Sequence, residues 1–225
     1  MGKDNQPKLR QESRDLKRKA ARRAPYERLL IVCEGEKTEP HYLKEIKHQG
    51  RLSTANVQVW PSEFGTEPIQ VIEYAETLFR DGCRAKNIDP ASFDRVIAVF
   101  DRDDHNSYHQ ALARARALNG ALINDDGELV AFQAIASVPC FELWLLLHFE
   151  DIHAPIHRNE VYRRLRTHLP NYDKGQIGHW ESTKDNLEQA IQRAETRAAI
   201  TNAQNGNEPF TAFHELVIRL LHLKD

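Results

Sequence analysis

Residues 29–39 read LLIVCEGEKTE, and this stretch decides the fold of the 225-residue chain. Its five opening apolar residues form an unbroken run that ends at a glycine-containing turn, a pattern typical of a buried strand in a parallel sheet. Thr38 is the expected N-cap of a following helix, with Pro40 in the first turn, where a missing N–H is harmless. Glu34 is therefore predicted at the carboxyl end of a buried strand, where open α/β sheets bind ligands.

A second apolar run, residues 96–100, leads into an acidic turn that contains Asp101 and Asp103. If the two strands are parallel neighbours, Glu34, Asp101 and Asp103 meet at one edge of the sheet. Three carboxylates at one place repel one another unless a cation is bound or one of them is protonated. Hard oxygen ligands suit Mg²⁺ or Mn²⁺, so a metal site is predicted here. The alternative is that each acid only caps the helix that follows it.

Strand and helix patterns alternate along residues 25–150, which predicts the α/β class with a mostly parallel sheet flanked by helices. The residues after Asp151 show helical patterns without strands. We therefore predict a basic flexible arm, an α/β domain and a C-terminal helical extension packed on it, at residues 1–24, 25–150 and 151–225. The predicted strands cover residues 26–33, 55–60, 94–100 and 128–135. The predicted helices cover residues 38–48, 69–79, 106–118, 159–168, 182–201 and 210–223.

Residues 137–149 read SVPCFELWLLLHF, which predicts a helix that starts near Ser137 and is apolar nearly all round. Such a helix must be largely buried. Glu142 is its lone acid, and a buried carboxylate needs a partner, for which a cation is one candidate. The alternative is that Glu142 only interacts favourably with the dipole at the start of the helix.

The composition bounds the class of protein. No apolar run approaches the roughly 18 residues of a membrane span, and the charged N-terminus lacks the apolar core of a secretory signal. The three cysteines, Cys33, Cys83 and Cys140, are scattered without CxxC spacing. A reduced, cytoplasmic compartment without a membrane is the expected location.

The formal net charge of −2 hides an asymmetry, because residues 1–24 carry nine Lys/Arg and three Asp/Glu. A basic arm on an acidic body is the pattern expected of a tail that contacts DNA or RNA. A solvated leader without a partner is the alternative. His105, next to the acidic turn, is either a metal ligand or general acid/base, or an ordinary surface histidine.

These motifs, in order, resemble a known family. The pairing of a strand and Glu34-Gly35 with a later strand and Asp101-Arg102-Asp103 resembles the Toprim fold of topoisomerases, bacterial primases and OLD-type nucleases. Residues 32–42, 101–103 and 137–144 together look like the RloB-like family, and residues 209–216 are similar to its C-terminal segment. The resemblance covers roughly residues 27–220.

The resemblance implies a Mg²⁺-dependent enzyme that acts on nucleic acid phosphodiesters, often encoded beside an ATPase in phage-defence loci. Glu34 would be the first acid of the family motif, as a metal ligand or proton donor, and Asp101 and Asp103 would hold the metal. Primases and OLD nucleases usually place the next acid four residues after the first. Here Glu39 comes five residues after Glu34, which is a departure from that pattern.

Phosphodiester cleavage needs an activated water and charge stabilisation on the phosphate, and one or two Mg²⁺ ions supply both. Toprim nucleases commonly add a basic residue, for which Lys174, Arg102 and Lys37 are the candidates. Two other functions remain open. One is a non-catalytic Toprim module that binds a nucleotide or a partner ATPase. The other is phosphoryl transfer of the haloacid-dehalogenase kind, although its Asp-x-Asp pair normally follows the first strand.

Overall fold

The computed structural model describes residues 26–103, 105–204 and 208–225. The predicted basic arm, residues 1–24, lies outside the described residues, and so does Asp104 of the acidic turn. Within the described ranges, no helix is both long and apolar enough to cross a membrane.

One mixed sheet organises the chain. Its strands are β1 Leu29–Cys33, β2 Val57–Pro61, β3 Arg95–Asp101, β4 Leu122–Ile123, β5 Leu129–Val138 and β6 Phe210–Thr211. They run in the order β2-β1-β3-β5-β4, with β6 also paired to β5. β1 lies parallel to both β2 and β3, and β3 lies parallel to β5. The short β4 and β6 pair antiparallel with opposite ends of β5. The predicted mostly parallel α/β sheet is confirmed.

Helices flank this sheet, and in the described part of the chain several follow β5 directly. Short 3₁₀ turns occur at Arg84–Lys86 and Lys184–Asn186. The α-helices are α1 Thr38–Gln49, α2 Pro68–Asp81, α3 Tyr108–Leu118, α4 Glu142–Leu147, α5 Arg158–His168, α6 His179–Thr183, α7 Leu187–Ala198 and α8 Phe213–Leu221.

The strand register places the ends of β1, β3 and β5 at one edge of the sheet. Cys33 pairs with Val99, and Asp101 pairs with Ser137. β1 therefore ends two residues before β3, and Glu34, which follows β1, lies level with Phe100 near the end of β3. All five residues of β1 are buried, as expected for a strand covered by helices on both faces.

Helix α4 is short, entirely buried and fixed by aromatic packing. The indole of Trp144 is fully buried and its Nε1 donates a hydrogen bond to the Tyr42 hydroxyl of α1 at 3.1 Å. Tyr42 makes edge-to-face contacts with Phe141 and with Phe213 of α8, at centroid distances of 5.7 and 5.8 Å. This cluster joins α1, α4 and α8 and so fixes the position of Glu142 at the start of α4.

Two predictions about helix starts are wrong. Thr38 does not cap α1: it lies in the helix, and its Oγ1 accepts a hydrogen bond from the Gly175 amide at 3.1 Å. Ser137 does not lead into a helix, because β5 continues through Val138 and pairs with both β3 and β6. A hydrogen bond of 2.9 Å between Ser137 Oγ and Thr211 Oγ1 secures that pairing.

The C-terminal segment also differs from the prediction. The predicted helix over residues 182–201 is broken, since α6 ends at Thr183 and a 3₁₀ turn precedes α7. The Thr183 hydroxyl donates to the His179 carbonyl at 2.7 Å, a back-bond that often bends helices. The expectation of helices without strands is wrong as well, because Phe210 and Thr211 form β6 and belong to the sheet.

We predict that Trp144→Ala lowers the free energy of unfolding by about 3–5 kcal/mol, because a large buried ring is removed and the Tyr42 hydroxyl loses its donor. Urea denaturation measures the change. Leu129→Ala is the matched control: Leu129 is 69% exposed, and its substitution should cost less than about 0.5 kcal/mol. Equal losses from both variants would contradict the central role of this cluster.

Candidate active site

An acidic cleft of about 280 Å³ lies at the carboxyl edge of the sheet. Five segments contribute side chains to it: the loop after β1, the start of α1, the end of β3, the start of α4 and the loop before α6. Its acidic lining consists of Glu34, Glu36, Glu39, Asp101, Asp103 and Glu142, and its basic lining of Lys37, Arg158 and Lys174. The edge therefore gathers the three predicted acids, Glu34, Asp101 and Asp103, and adds Glu36, Glu39 and Glu142.

Glu34 is held by β3. Its amide donates to the Val99 carbonyl at 2.8 Å, and its Oε2 accepts from the Asp101 amide at 2.9 Å. Its Oε1 lies 3.4 Å from His105 Nε2. Burial raises the pKa of Glu34, and the charge of Asp103 adds to this, whereas the Asp101 amide and His105 oppose it.

Asp101, the last residue of β3, is buried beside other acids. Burial is the main cause that raises its pKa well above the ordinary value, and the charges of Glu39, Glu34 and Glu142 add to it. Deprotonating Asp101 without a cation beside it is therefore costly. A bound cation would remove that cost because it offsets the neighbouring charges.

Glu39, in the first turn of α1, is buried as deeply as Asp101. Burial raises its pKa to about 7, with further contributions from the charges of Glu142 and Glu34. Its carboxylate lies against Gly35, where an added Cβ would come within 2.5 Å of Glu39 Oε2. Gly35 thus leaves the space in which Glu39 reaches the cleft, and this explains why the turn after β1 contains a glycine.

Glu142 opens α4 and is 1% exposed. Its Oε1 accepts from the Tyr172 hydroxyl at 2.8 Å and lies 3.5 Å from Lys174 Nζ. Its Oε2 is buried and has no hydrogen-bond partner among the described residues. The helix dipole alone does not satisfy this carboxylate, because its free oxygen needs a further partner.

Asp103 adopts a backbone φ of +34°, which is unusual for a residue other than glycine. Its amide donates to the Pro139 carbonyl at 3.1 Å, and its Oδ2 accepts from Arg158 Nη1 at 2.6 Å. Its Oδ1 is buried without a partner in the described chain. Burial raises the pKa of Asp103, although Arg158 and Lys174 work in the opposite direction.

The predicted basic residues divide between two places. Lys174 reaches the cleft from the loop before α6; burial opposes its charge, but Glu142 and Tyr162 raise its pKa overall. Lys37 also lines the cleft, and its side chain packs close to Gly175. Arg102 lies outside the acidic cleft and lines a neighbouring cavity, with its guanidinium 5.8 Å from the Tyr108 ring centroid.

His105 joins the cleft to the start of α2. Its Nδ1 lies 3.1 Å from Glu67 Oε1, and its Nε2 faces Glu34. Burial works against the charged ring, but the hydrogen bond to Glu67 and the charge of Glu34 raise the pKa of His105 overall. His105 is therefore a partner of two carboxylates rather than an isolated surface histidine.

Sequence reasoning did not identify Arg158 or Tyr172 as residues of the site. Arg158, at the start of α5, forms an ion pair with Asp103. Tyr172, two residues before Lys174, donates to Glu142. For Tyr172 the available signal was its proximity to Lys174 in the sequence. Arg158 gave no such signal, because its pairing with Asp103 arises from long-range packing.

The oxygen-rich donor set agrees with the ligand preference of Mg²⁺ or Mn²⁺. The partnerless oxygens of Glu142 and Asp103 provide acceptors that a cation would satisfy. Across residues 26–103, 105–204 and 208–225, however, no three His, Cys, Asp or Glu side chains are already placed so that they could hold a metal ion. The ligands would thus have to adjust when an ion binds.

The family model for RloB-like proteins matches residues 29–220 of the chain. No curated protein and no solved structure matches the chain significantly. The match spans β1 to α8 and therefore includes every residue that lines the acidic cleft.

We predict that Glu39 contributes less to the stability of the metal-free protein as the pH rises from about 4.5 to about 7. The pKa of Glu39 is about 7 in the folded chain and 4.5 in the unfolded chain, so in this window Glu39 binds more protons when the chain is folded. Its contribution to the free energy of unfolding then falls with rising pH, on the order of 1 kcal/mol per unit of pKa shift, whereas His148, whose pKa burial lowers to about 4, acts in the opposite direction below about pH 6.5. Glu34 and Asp101 act in the same direction as Glu39.

Glu39→Gln should make this pH dependence shallower in EDTA, as measured by urea denaturation at several pH values. Glu128→Gln, at an exposed position away from the cleft, is the control and should keep the wild-type slope. A Glu39→Gln slope equal to that of wild type would contradict the assignment of the shifted pKa to Glu39.

Proposed function

The chain belongs to the RloB-like family, and from this membership and the acidic cleft we propose that it is a Mg²⁺- or Mn²⁺-dependent nuclease. Its substrate would be a phosphodiester bond of DNA or RNA. The observation that carries the proposal is the convergence of Glu34, Asp101 and Asp103 with Glu39 and Glu142 at the carboxyl edge of a parallel sheet. Ligand sites of open α/β sheets lie at this edge.

Glu34, Asp101 and Asp103 are the residues that would hold the ion, in keeping with the roles that the family resemblance implies. When bound, the ion supplies an activated water and stabilises charge on the phosphate. The free oxygen of Glu142 faces no partner among the described residues, which makes Glu142 a further candidate ligand.

The remaining residues would position the phosphate and move protons. Glu39 lies buried in the same cleft and is the candidate group to accept and return a proton. Lys174 has a half-exposed side chain at the cleft, so its ammonium can meet a non-bridging or leaving oxygen. Arg158 holds Asp103 by their ion pair and so fixes the turn after β3.

A second candidate function is a non-catalytic module that binds a nucleotide or a partner ATPase. One observation favours it: within the described residues the acids are not prearranged as a three-ligand metal site. In that case the carboxylates would serve a partner or a structural ion, and no cleavage would occur.

We also propose a role in phage defence together with an ATPase partner. The family resemblance implies this role, because such proteins are often encoded beside an ATPase in phage-defence loci. Co-expression of the chain with candidate ATPases, followed by purification on one partner, would test the association.

We predict that purified protein cleaves single-stranded DNA, duplex DNA, total RNA or tRNA only when Mg²⁺ or Mn²⁺ is present. Asp101→Asn and Glu34→Gln should each abolish this cleavage, because each removes a charged ligand but keeps the side-chain shape. Asp101→Asn should fold as well as wild type or better, since one charge of a repelling cluster is gone. Gel assays of time-dependent product formation provide the measurement.

Glu128→Gln, prepared in the same way, is the control for contaminating nucleases and should cleave like wild type. Robust metal-dependent cleavage by Asp101→Asn would contradict the role of this aspartate. No cleavage by wild type with any substrate and metal would favour the binding module.

We predict that Lys174→Ala lowers the cleavage rate at saturating substrate by about 10²-fold, the effect of losing one charge-stabilising donor. Lys174→Arg should retain part of the rate because it keeps the positive charge. Lys44→Ala removes an exposed lysine of α1 and is the matched control. Because Lys174 is also the charge partner of buried Glu142, thermal unfolding of each variant is measured beside its rate, and a wild-type rate for Lys174→Ala would exclude the role.

A further inference from the structure

One aromatic ring contacts two of the cations that line the acidic cleft. The ring belongs to Tyr162 of α5, and its centroid lies 5.8 Å from the guanidinium carbon of Arg158 and 5.1 Å from Lys174 Nζ. Both distances are within the roughly 6 Å at which an aromatic ring attracts a cation. Tyr162 therefore connects the start of α5 to the loop before α6, from which Lys174 reaches the cleft.

Arg158 anchors this ring to the turn after β3. Its Nη1 donates to Asp103 Oδ2 at 2.6 Å, and its Nη2 donates to the Tyr162 hydroxyl at 3.4 Å. Tyr162 follows Arg158 by one helical turn, and its side chain is half-buried against the core. The contacts thus form a chain from Asp103 through Arg158 and Tyr162 to Lys174.

The ammonium of Lys174 depends on this ring for its position. Its side chain is 52% exposed, and in the part of the chain that the structure describes its one ion pair is with Glu142 Oε1, at 3.5 Å. That oxygen already accepts from the Tyr172 hydroxyl. A long, half-exposed lysine side chain has many rotamers, so holding it in one place costs free energy. If a cation in the cleft takes Glu142 as a ligand, the Tyr162 ring is the contact that still holds the ammonium.

We propose that Tyr162 is a positioning residue, which holds the Lys174 ammonium at the acidic cleft where a phosphate oxygen would meet it. The use of Lys174 on a phosphate rests on the proposed nuclease function, whereas the contact between ammonium and ring is independent of it. Tyr162 acts through its aromatic face, so phenylalanine should replace it and leucine should not. A ring that only packs α5 against the core would be replaced well by leucine, which is also apolar.

The placement of Lys174 is tested without catalysis, by NMR of the full chain after reductive methylation of its lysines with ¹³C-formaldehyde. Methylation keeps the positive charge. The ring current of Tyr162 should displace the Lys174 methyl signal from those of exposed lysines such as Lys44. The displaced signal is assigned by its absence from Lys174→Arg. Tyr162→Leu should return it to the position of exposed lysines, and Tyr162→Phe should leave it displaced.

Cleavage with Mg²⁺ is assayed on unmethylated protein. Tyr162→Leu should lower the rate at saturating substrate about tenfold, and Tyr162→Phe less than about twofold, because phenylalanine keeps the ring. In the Lys174→Ala background, Tyr162→Leu should have no further effect, since the two residues act as one unit. Tyr26→Leu, at an exposed tyrosine outside the cleft, is the matched control and should change neither the rate nor the NMR signal.

The positioning role is overturned if the Lys174 signal of wild type coincides with those of exposed lysines, or if Tyr162→Leu leaves it displaced. It is also overturned if Tyr162→Leu cleaves at the wild-type rate. Should Tyr162→Leu fail to fold, the comparison of wild type with Lys174→Arg and Tyr162→Phe still decides whether the ring and the ammonium are in contact.

The two proposals fail separately. Cleavage by wild type without a displaced Lys174 signal overturns the role of Tyr162 and leaves the nuclease function standing. A displaced signal that Tyr162→Leu removes, in a protein that cleaves no substrate, supports the placement of Lys174 by Tyr162 and contradicts the nuclease function.

Discussion

The repulsion among carboxylates at one edge of the sheet is the constraint on which this structure depends. The parallel register of β1, β3 and β5 brings Glu34 and Asp101 together, and α1 and α4 add Glu39 and Glu142. Burial and mutual repulsion raise the pKa of Glu34, Glu39 and Asp101. The folded protein must therefore bind protons there or gain positive charge, and in the proposed function a divalent cation would provide that charge at neutral pH.

The rest of the chain holds this unfavourable arrangement in place. Gly35 leaves room for the carboxylate of Glu39, and the loop that carries Lys174 is fastened to α1 by the bond from the Gly175 amide to Thr38. The aromatic cluster around Trp144 fixes α4 and thereby Glu142. Residues after 151 thus complete a site that the first half of the sheet begins, and they also add a strand to that sheet.

The sequence was sufficient to predict the α/β class and three acids at one edge of the sheet. An apolar run that ends in an acidic turn can be recognised from the local sequence alone. It was not sufficient for contacts that arise from distant packing, such as Arg158 with Asp103 or Tyr172 with Glu142. Ser137 was misassigned because its pairing with Thr211, 74 residues later, leaves no local signal. The short β6 was missed for the same reason.

Divalent-ion binding by the cleft is tested most directly by thermal unfolding of wild type and Asp101→Asn, each in EDTA and in increasing Mg²⁺. An ion that binds the folded chain raises its stability by RT ln(1 + [L]/Kd). The unfolding temperature of wild type should therefore rise with Mg²⁺ concentration, and that of Asp101→Asn should rise much less. A wild-type unfolding temperature that is the same in EDTA and in Mg²⁺, or equal increases in both proteins, would contradict a metal site at these carboxylates.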